Sequence, residues 1–218
     1  DNPGASDGLT NLHVNNIESI TATAITDEAD NWLVNNTAGD FTWEISATNE
    51  GVLDITNDTN TFNDVSFYNF GHLQGADLGS DTFDFATGGF ISGIFIGGAD
   101  ASVDDVANFA DVDEEVSINL GSGSTPAINF EEIEVVVGNN DGSSSTLNDS
   151  ILTVESGTND WQVTDVNDGT VTNSDGVDIE FQNFNHLVGG NEGDTFTLQA
   201  AGSITGSING GANTDGAI

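Results

Sequence analysis

Carboxylates are the side chains of this chain best able to do chemistry. Its 218 residues include 37 Asp and Glu, three His and no Lys or Arg, so the formal net charge is -37. A folded chain of this kind gains from a cation taken from solution, because crowded like charges repel one another. Ca²⁺ is the cation indicated, since it is a hard ion that selects oxygen ligands.

Several of these acids follow glycine-rich turns, where a chain corner could hold an ion. For Asp81, Asp194 and Asp215 two interpretations stay open. Each is either a direct Ca²⁺ ligand or the acceptor of an Asx-type turn, whose carboxylate takes backbone N–H groups. A further acidic corner follows Gly97-Gly98 and contains Asp100, Asp104 and Asp105.

The composition excludes several classes of function. Nucleic acid is a poor partner, because phosphate neutralisation needs Lys and Arg. An anionic membrane surface repels the chain for the same reason. Disulfides and thiolate metal sites are excluded because there is no Cys. No apolar run approaches the roughly 20 residues of a membrane span. A soluble, very acidic protein without membrane insertion remains.

Histidine and tryptophan recur at equivalent places but lack partners for catalysis. His72 and His186 have no repeated His or Cys nearby in sequence, so we predict corner residues whose rings pack or bond a carbonyl. His13 receives the same interpretation. Trp43 and Trp161 lie in alternating runs, which favours a packed column. A sugar-stacking platform is the alternative if the indoles face outwards.

One carboxylate pair has a spacing suited to catalysis. Asp178 and Glu180 share one face of a predicted strand, about 7 Å apart from the strand rise. That separation lies within the range for inverting glycoside hydrolysis. The other copy of the pattern described next has Ser66 and Tyr68 at these places. We therefore predict no enzyme and keep a polysaccharide-degrading enzyme as an alternative.

The elements that position these residues come from an internal repeat. Residues 42–51 align without gaps on 160–169, and 67–73 match 181–187. The copies lie roughly 115 residues apart, which indicates a repeat architecture. We place the copies at about 17–100 and 130–213, joined by a section of the same design at 101–129.

Within each copy the hydrophobic period is two, which predicts short half-buried strands. The clearest runs are 65–67, 83–85, 116–120, 177–182 and 195–198.

The turns between the runs are rich in Asn and Gly. Asn49-Glu50-Gly51 and Asn167-Asp168-Gly169 are predicted turns that tolerate positive φ. Only 99–112 has helical spacing, and we expect little or no helix there.

Many short strands with a long repeat period favour an all-β solenoid, that is, a parallel β-helix occupying 1–218 as a single domain. Neighbouring coils of such a fold are about 4.8 Å apart, and inward side chains form ladders. Coils of roughly 20 residues predict a rod about 50 Å long.

The turn residues also carry a family resemblance. The rhythm is an N-F-x-x-L-x-G-G corner at 183–190, then G-D-T-F at 193–196, then G-G-A at 210–212. It resembles modules found in tandem in very large secreted bacterial surface proteins, with filamentous-haemagglutinin-like β-helix and hemolysin-type calcium-binding repeats. The resemblance covers about 17–213 and lies in rhythm and turn residues.

The resemblance implies a right-handed, extracellular parallel β-helix used in adhesion or matrix building. The related nonapeptide G-G-x-G-x-D-x-U-x binds Ca²⁺ between successive turns. Residues 210–215 keep this pattern with Asn at its fourth place, whereas 189–194 and 75–81 depart from it. No two nonapeptides are consecutive, which favours isolated Ca²⁺ sites at coil corners. The candidate ligands are Asp77, Asp81, Asp100, Asp194, Asn213 and Asp215.

We therefore expect a non-enzymatic, secreted or cell-surface module of a fibre, matrix filament or adhesin, stabilised and cross-bridged by Ca²⁺. Its expected partners are other copies or adjacent tandem modules, stacked end to end through open terminal coils. A carbohydrate-binding adhesin that recognises glycans is the second hypothesis. The chain begins at Asp1 without a signal peptide, as a mature chain or a segment of a larger protein does.

Overall fold

A computed structural model describes most of the chain and contains only β-structure there. Every regular element among the described residues is a strand, so the all-β prediction is confirmed for this part. The stretch with helical spacing contributes a strand, Val106–Asn108. The described residues are 19–22, 31–54, 64–99, 102–120, 129–139 and 149–212.

The strands are short, and most runs with period-two alternation form one. In chain order they are β1 Ser19–Thr21, β2 Trp32–Val34, β3 Phe41–Ala47, β4 Glu50–Asp54, β5 Val65–Tyr68, β6 His72–Gln74, β7 Asp81–Phe85, β8 Ile94–Ile96, β9 Val106–Asn108, β10 Val116–Asn119, β11 Asn129–Glu131, β12 Val135–Val137, β13 Ser150–Thr153, β14 Asp160–Asp165, β15 Asp168–Thr172, β16 Asp178–Gln182, β17 His186–Val188, β18 Thr195–Leu198 and β19 Ser207–Asn209.

These strands form three sheets. Sheet 1 has eleven strands in the order β1-β5-β4-β3-β7-β9-β12-β16-β15-β14-β18. Sheet 2 has the order β2-β6-β8-β11, and sheet 3 the order β10-β13-β17-β19. The chain returns repeatedly to sheet 1 after visiting sheet 2 or sheet 3. The sequence separation of parallel partner residues varies widely, from 21 residues at Leu187 and Ile208 to 47 residues at Ser19 and Ser66.

Strand pairing is mixed, which differs from the uniformly parallel stacking that the sequence predicts. Sheets 2 and 3 are parallel throughout. Sheet 1 contains two antiparallel meanders, β3-β4-β5 and β14-β15-β16. The chain reverses in each first turn at Asn49 (φ 58°) and Asn167 (φ 63°), a conformation that Asn adopts more readily than most residues. The positive φ expected at these turns is confirmed.

The two copies of the sequence repeat have the same pairing pattern. In the first copy β3, β4 and β5 form the meander, β3 pairs with β7, and β6 pairs with β8. In the second copy β14, β15 and β16 form the meander, β14 pairs with β18, and β17 pairs with β19. Both meanders also contain a register shift, at Ile45/Ala47 and at Val163/Asp165.

The core lies between sheet 1 and the two smaller sheets. Side chains stack from strand to strand within sheet 1, as Trp43 does on Phe83 with ring centroids 5.7 Å apart. They also meet side chains of the opposite layer, as Phe83 meets Phe95 of sheet 2 at 4.8 Å. Burial of each large apolar side chain stabilises the fold by about 1.5–3 kcal/mol. Strand-to-strand stacking and face-to-face packing therefore share one continuous core.

Glycine is required in the second strand of each meander because the neighbouring strand passes very close. A Cβ at Gly51 would overlap the carbonyl oxygen of Glu44, and one at Gly169 would overlap that of Gln162. Each would also press on an aromatic ring of the third strand, which is Phe181 in the second copy. The requirement is thus steric, and it lies within the strand and not in the turn.

Substitution of Gly169 by Ala should destabilise the protein by about 2 kcal/mol, because overpacking forces the backbone of β14 away. Gly193→Ala is the matched control, since the nearest atom to its added Cβ is Thr158 Cγ2 at 3.9 Å. The free energies of unfolding in urea compare the two variants. Equal stability of both would contradict the steric explanation.

Candidate functional site

Asp81, one of the predicted Ca²⁺ ligands, is the first residue of β7 and is completely buried. Its Oδ1 accepts a hydrogen bond from Trp43 Nε1 at 3.1 Å, and its Oδ2 accepts one from the Ala76 backbone N–H at 2.9 Å. Both carboxylate oxygens thus have protein donors. The geometry assigns Asp81 to the Asx-type alternative, as a corner acceptor.

Burial also changes the acidity of this carboxyl group. The pKa of Asp81 is raised to about 6, mainly by loss of water and also by the charge of Asp40, while the hydrogen bonds from Ala76 and Trp43 lower it. The two hydrogen bonds therefore compensate only in part for the hydration that the ionised carboxylate loses on burial.

Asp194 has the equivalent place in the second copy, with a different set of donors. Its Oδ1 accepts hydrogen bonds from the backbone N–H and the side-chain Nδ2 of Asn159, and its Oδ2 accepts the Gly190 N–H at 2.8 Å. Trp161 is equivalent to Trp43, yet its buried Nε1 has no hydrogen-bond partner among the described residues. Asn159 therefore provides the contact to the acid that Trp43 provides in the first copy.

A shared rule explains these corners. In each corner a strand ends at the residue before a glycine. The residue after the glycine then donates its backbone N–H to a side-chain oxygen at the start of a later strand. Asp81 does so after Gly75, and Asp194 after Gly189. Ser150 does the same after Gly138, bonding the Asn139 N–H at 2.8 Å. The corner thus needs the glycine and the acceptor side chain, and it forms at spacings of five, six and twelve residues.

The remaining predicted ligands have different outcomes. Asp77 is exposed. Asp100, Asn213 and Asp215 lie outside the described residues. No group of three or more His, Asp or Glu in the described ranges could hold a metal ion. Ca²⁺ binding therefore stays a prediction.

A second buried acid, Asp105, belongs to the acidic corner that follows Gly97-Gly98. Asp105 precedes β9 and is 1% exposed. Its Oδ1 accepts the Asp81 N–H at 2.7 Å, while its own N–H donates to Glu134 Oε2 at 2.9 Å. Asp81, Asp105 and Glu134 therefore form a ladder of acids along three successive corners. Its sequence signal was its place eight residues after Gly97, whereas Asp81 and Asp194 follow their glycines by six and five residues.

The histidines link neighbouring strands by accepting backbone N–H groups, and the predicted packing of the ring is found at His72. His72 Nδ1 accepts the Ile94 N–H at 3.0 Å, and the ring stacks on Trp32 at 4.3 Å. His186 Nδ1 accepts the Ser207 N–H at 3.2 Å, and its Nε2 lies 3.7 Å from Asp149. His13 lies outside the described residues.

The indoles of the two repeated tryptophans are unavailable to a sugar, because Trp43 and Trp161 are completely buried. Their assignment to the packed column is confirmed. Among the described residues the exposed large aromatics are Trp32 and Tyr68, which lie on different sheets. They do not form the row along one face that a glycan-binding surface would need.

The predicted carboxylate pair is exposed on sheet 1. Asp178 accepts a hydrogen bond from Thr172 Oγ1, and Glu180 accepts one from Gln182 Nε2. A cavity of about 520 Å³ between β10 and β11 is lined by Glu131, Glu132 and Glu134. The carboxyl groups with a raised pKa, those of Asp81, Asp84 and Asp105, are absent from its described lining.

The last two strands, β18 and β19, expose apolar side chains that are in register with buried ones. β18 is the edge of sheet 1, and β19 is the edge of sheet 3. Leu198 and Ile208 are in register with the buried Val163 and Leu187, yet they are 51% and 37% exposed. We call the edge formed by β18 and β19 the open end.

Neither a family model, nor a curated protein, nor a solved structure matches this chain. In the described part of the chain, no helix is long and apolar enough to cross a membrane.

Replacement of Asp81 by Ala should destabilise the fold by about 2 kcal/mol, because Trp43 Nε1 and the Ala76 N–H would be buried without an acceptor. Asp77→Ala removes the same charge from an exposed position and should change stability by less than about 0.5 kcal/mol. Urea unfolding with and without Ca²⁺ measures both. Stabilisation by Ca²⁺ of the wild type but not of Asp81→Ala would contradict the acceptor role.

Proposed function

We propose that this chain is a non-enzymatic structural module of an extracellular filament, and that its open end stacks on a second copy. In this proposal the strands wind as a right-handed parallel β-helix, and the two antiparallel meanders are additions to its coils. The open end is the observation that carries the proposal, because apolar side chains are found there together with a strand edge that has no partner among the described residues.

The directions of the edge strands support head-to-tail stacking. β1 and β18 are the two edges of sheet 1. They run in the same direction, because each meander reverses the chain twice and every other pairing between them is parallel. The β1 edge of one copy can therefore extend the β18 edge of another as a further parallel pair. Such a contact is heterologous and does not close, so it generates a filament.

The side chains at the open end supply the free energy for this contact. Leu198 and Ile208 continue buried columns of the core, and Phe196 stacks on Trp161 with ring centroids 5.2 Å apart. A further coil would bury these side chains, and each fully buried aliphatic side chain contributes about 1.5–3 kcal/mol.

Charge sets the conditions for assembly. Each copy has a net charge of -37, so two copies repel each other over about a Debye length, roughly 8 Å at physiological ionic strength. Exposed acids such as Asp178 and Glu180 are available to Ca²⁺ on the outer face of sheet 1. We propose that Ca²⁺ bridges such carboxylates within and between filaments, which reduces the repulsion.

Leu198→Asp should abolish assembly, because it places a charge where an apolar column continues. We expect the wild-type chain to form linear, concentration-dependent assemblies that Ca²⁺ promotes, and the variant to associate at least about a hundredfold more weakly. Sedimentation velocity and electron micrographs with and without Ca²⁺ measure both effects.

Leu78→Asp is the matched control, since Leu78 is 59% exposed and precedes β7, away from the open end. It should assemble as the wild type does. A wild-type chain that stays monomeric at high concentration with Ca²⁺, or a Leu198→Asp chain that still assembles, would exclude this function.

A further inference from the structure

Asp105 has a buried carboxylate oxygen without a partner. The residue is 1% exposed, and its Oδ1 accepts the Asp81 N–H. Its Oδ2 is fully buried and has no hydrogen-bond partner in the described part of the chain. An ionised oxygen in this position would lose its hydration without compensation. This oxygen therefore points to a bound species at the corner.

The groups that face Asp105 make its ionisation still less favourable. Asp81 approaches from β7, and Glu132 and Glu134 approach from the turn between β11 and β12. The charge of Asp40 acts in turn on Asp81. All of these are acids, and the whole chain has no Lys or Arg that could neutralise them.

The packing around Asp105 Oδ2 favours a proton over a larger cation. A Cβ added to Gly97 would overlap both Asp105 Oδ2 and the carbonyl oxygen of Glu132. Both oxygens therefore press against the Gly97 α-carbon. Ca²⁺ takes six to eight oxygen ligands, and the described residues around Asp105 provide no group of acids arranged to hold a metal.

We propose that the corner of Asp81, Asp105 and Glu134 is a proton-binding site, in which Asp105 Oδ2 holds the proton. The neutral carboxylic acid keeps Oδ1 as the acceptor of the Asp81 N–H. Its Oδ2–H donates towards the Glu132 carbonyl oxygen, the acceptor that lies against the same glycine. Loss of the proton places a second buried charge beside Asp81 and weakens the junction of β7 and β9. The contact between β7 and β9 is thus sensitive to pH, and this inference does not depend on the proposed filament function.

The acidities agree with this geometry. The pKa of Asp105 is raised to about 7, mainly by burial and also by the charges of Asp81, Glu134 and Glu132, while the hydrogen bond from the Asp81 N–H lowers it. An unfolded Asp has a pKa of about 3.9, so the folded state binds the proton more tightly. The resulting stabilisation is complete below about pH 4 and is lost as the pH rises through about 7.

Asp105→Asn tests the site, because the amide mimics the neutral acid. Between pH 5 and pH 8 the unfolding equilibrium constant of the wild type should rise about a hundredfold more than that of the variant. The variant should also be more stable than the wild type at pH 8. Asp104→Asn removes a neighbouring exposed charge and should keep the wild-type pH dependence.

Infrared spectra provide a readout that does not depend on the variant folding. The wild type and Asp104→Asn should show the C=O stretch of a protonated carboxyl group at about pH 6.5, and Asp105→Asn should show only the weaker band of the Asp81 fraction that is still protonated. Absence of this band from the wild type would overturn the proposal, as would an unchanged pH dependence in Asp105→Asn. Stabilisation by Ca²⁺ at pH 8 of the wild type and Asp104→Asn, but not of Asp105→Asn, would show that the occupant is a metal ion.

Discussion

The absence of basic side chains is the constraint on which the rest of this structure depends. Every acid that enters the interior must be stabilised by N–H donors, by a proton or by a cation from solution. Asp81 and Asp194 meet this constraint with backbone and side-chain N–H groups at coil corners. At these corners, backbone N–H groups provide the partial positive charge that Lys or Arg side chains would provide in another protein.

The same corners explain why glycine recurs in a chain that is otherwise rich in β-branched residues. At Gly75 and Gly189 the acid lies so close to the glycine that a side chain would overlap the carboxylate. At Gly138 the neighbour is the hydroxyl group of Ser150. Close approach of glycine and acceptor shortens the connection between layers. The contact also fixes the register of the two strands that it joins, because only one position on each strand can make it.

The positions of the strands were predictable because alternation is a local property. The runs at 65–67, 83–85 and 195–198 all lie in strands, and the Asn turns have the positive φ expected of them. Partner choice was not predictable to the same degree. Parallel and antiparallel neighbours bury the same faces of a strand, so the meanders leave no separate mark in the hydrophobic pattern.

The candidate site divides in a similar way. Glycine and aspartate spacing was enough to locate the corners, but it could not distinguish an ion ligand from an acceptor of N–H groups, because a carboxylate serves both roles. Asp77 and Asp81 both follow Gly75 within six residues, yet Asp81 is buried beside another acid and Asp77 is exposed. The sequence by itself determined the all-β class, the repeat and the corner residues, since each depends on neighbours along the chain. Only the tertiary structure decided which acids are buried together, because that depends on which strands are neighbours in a sheet.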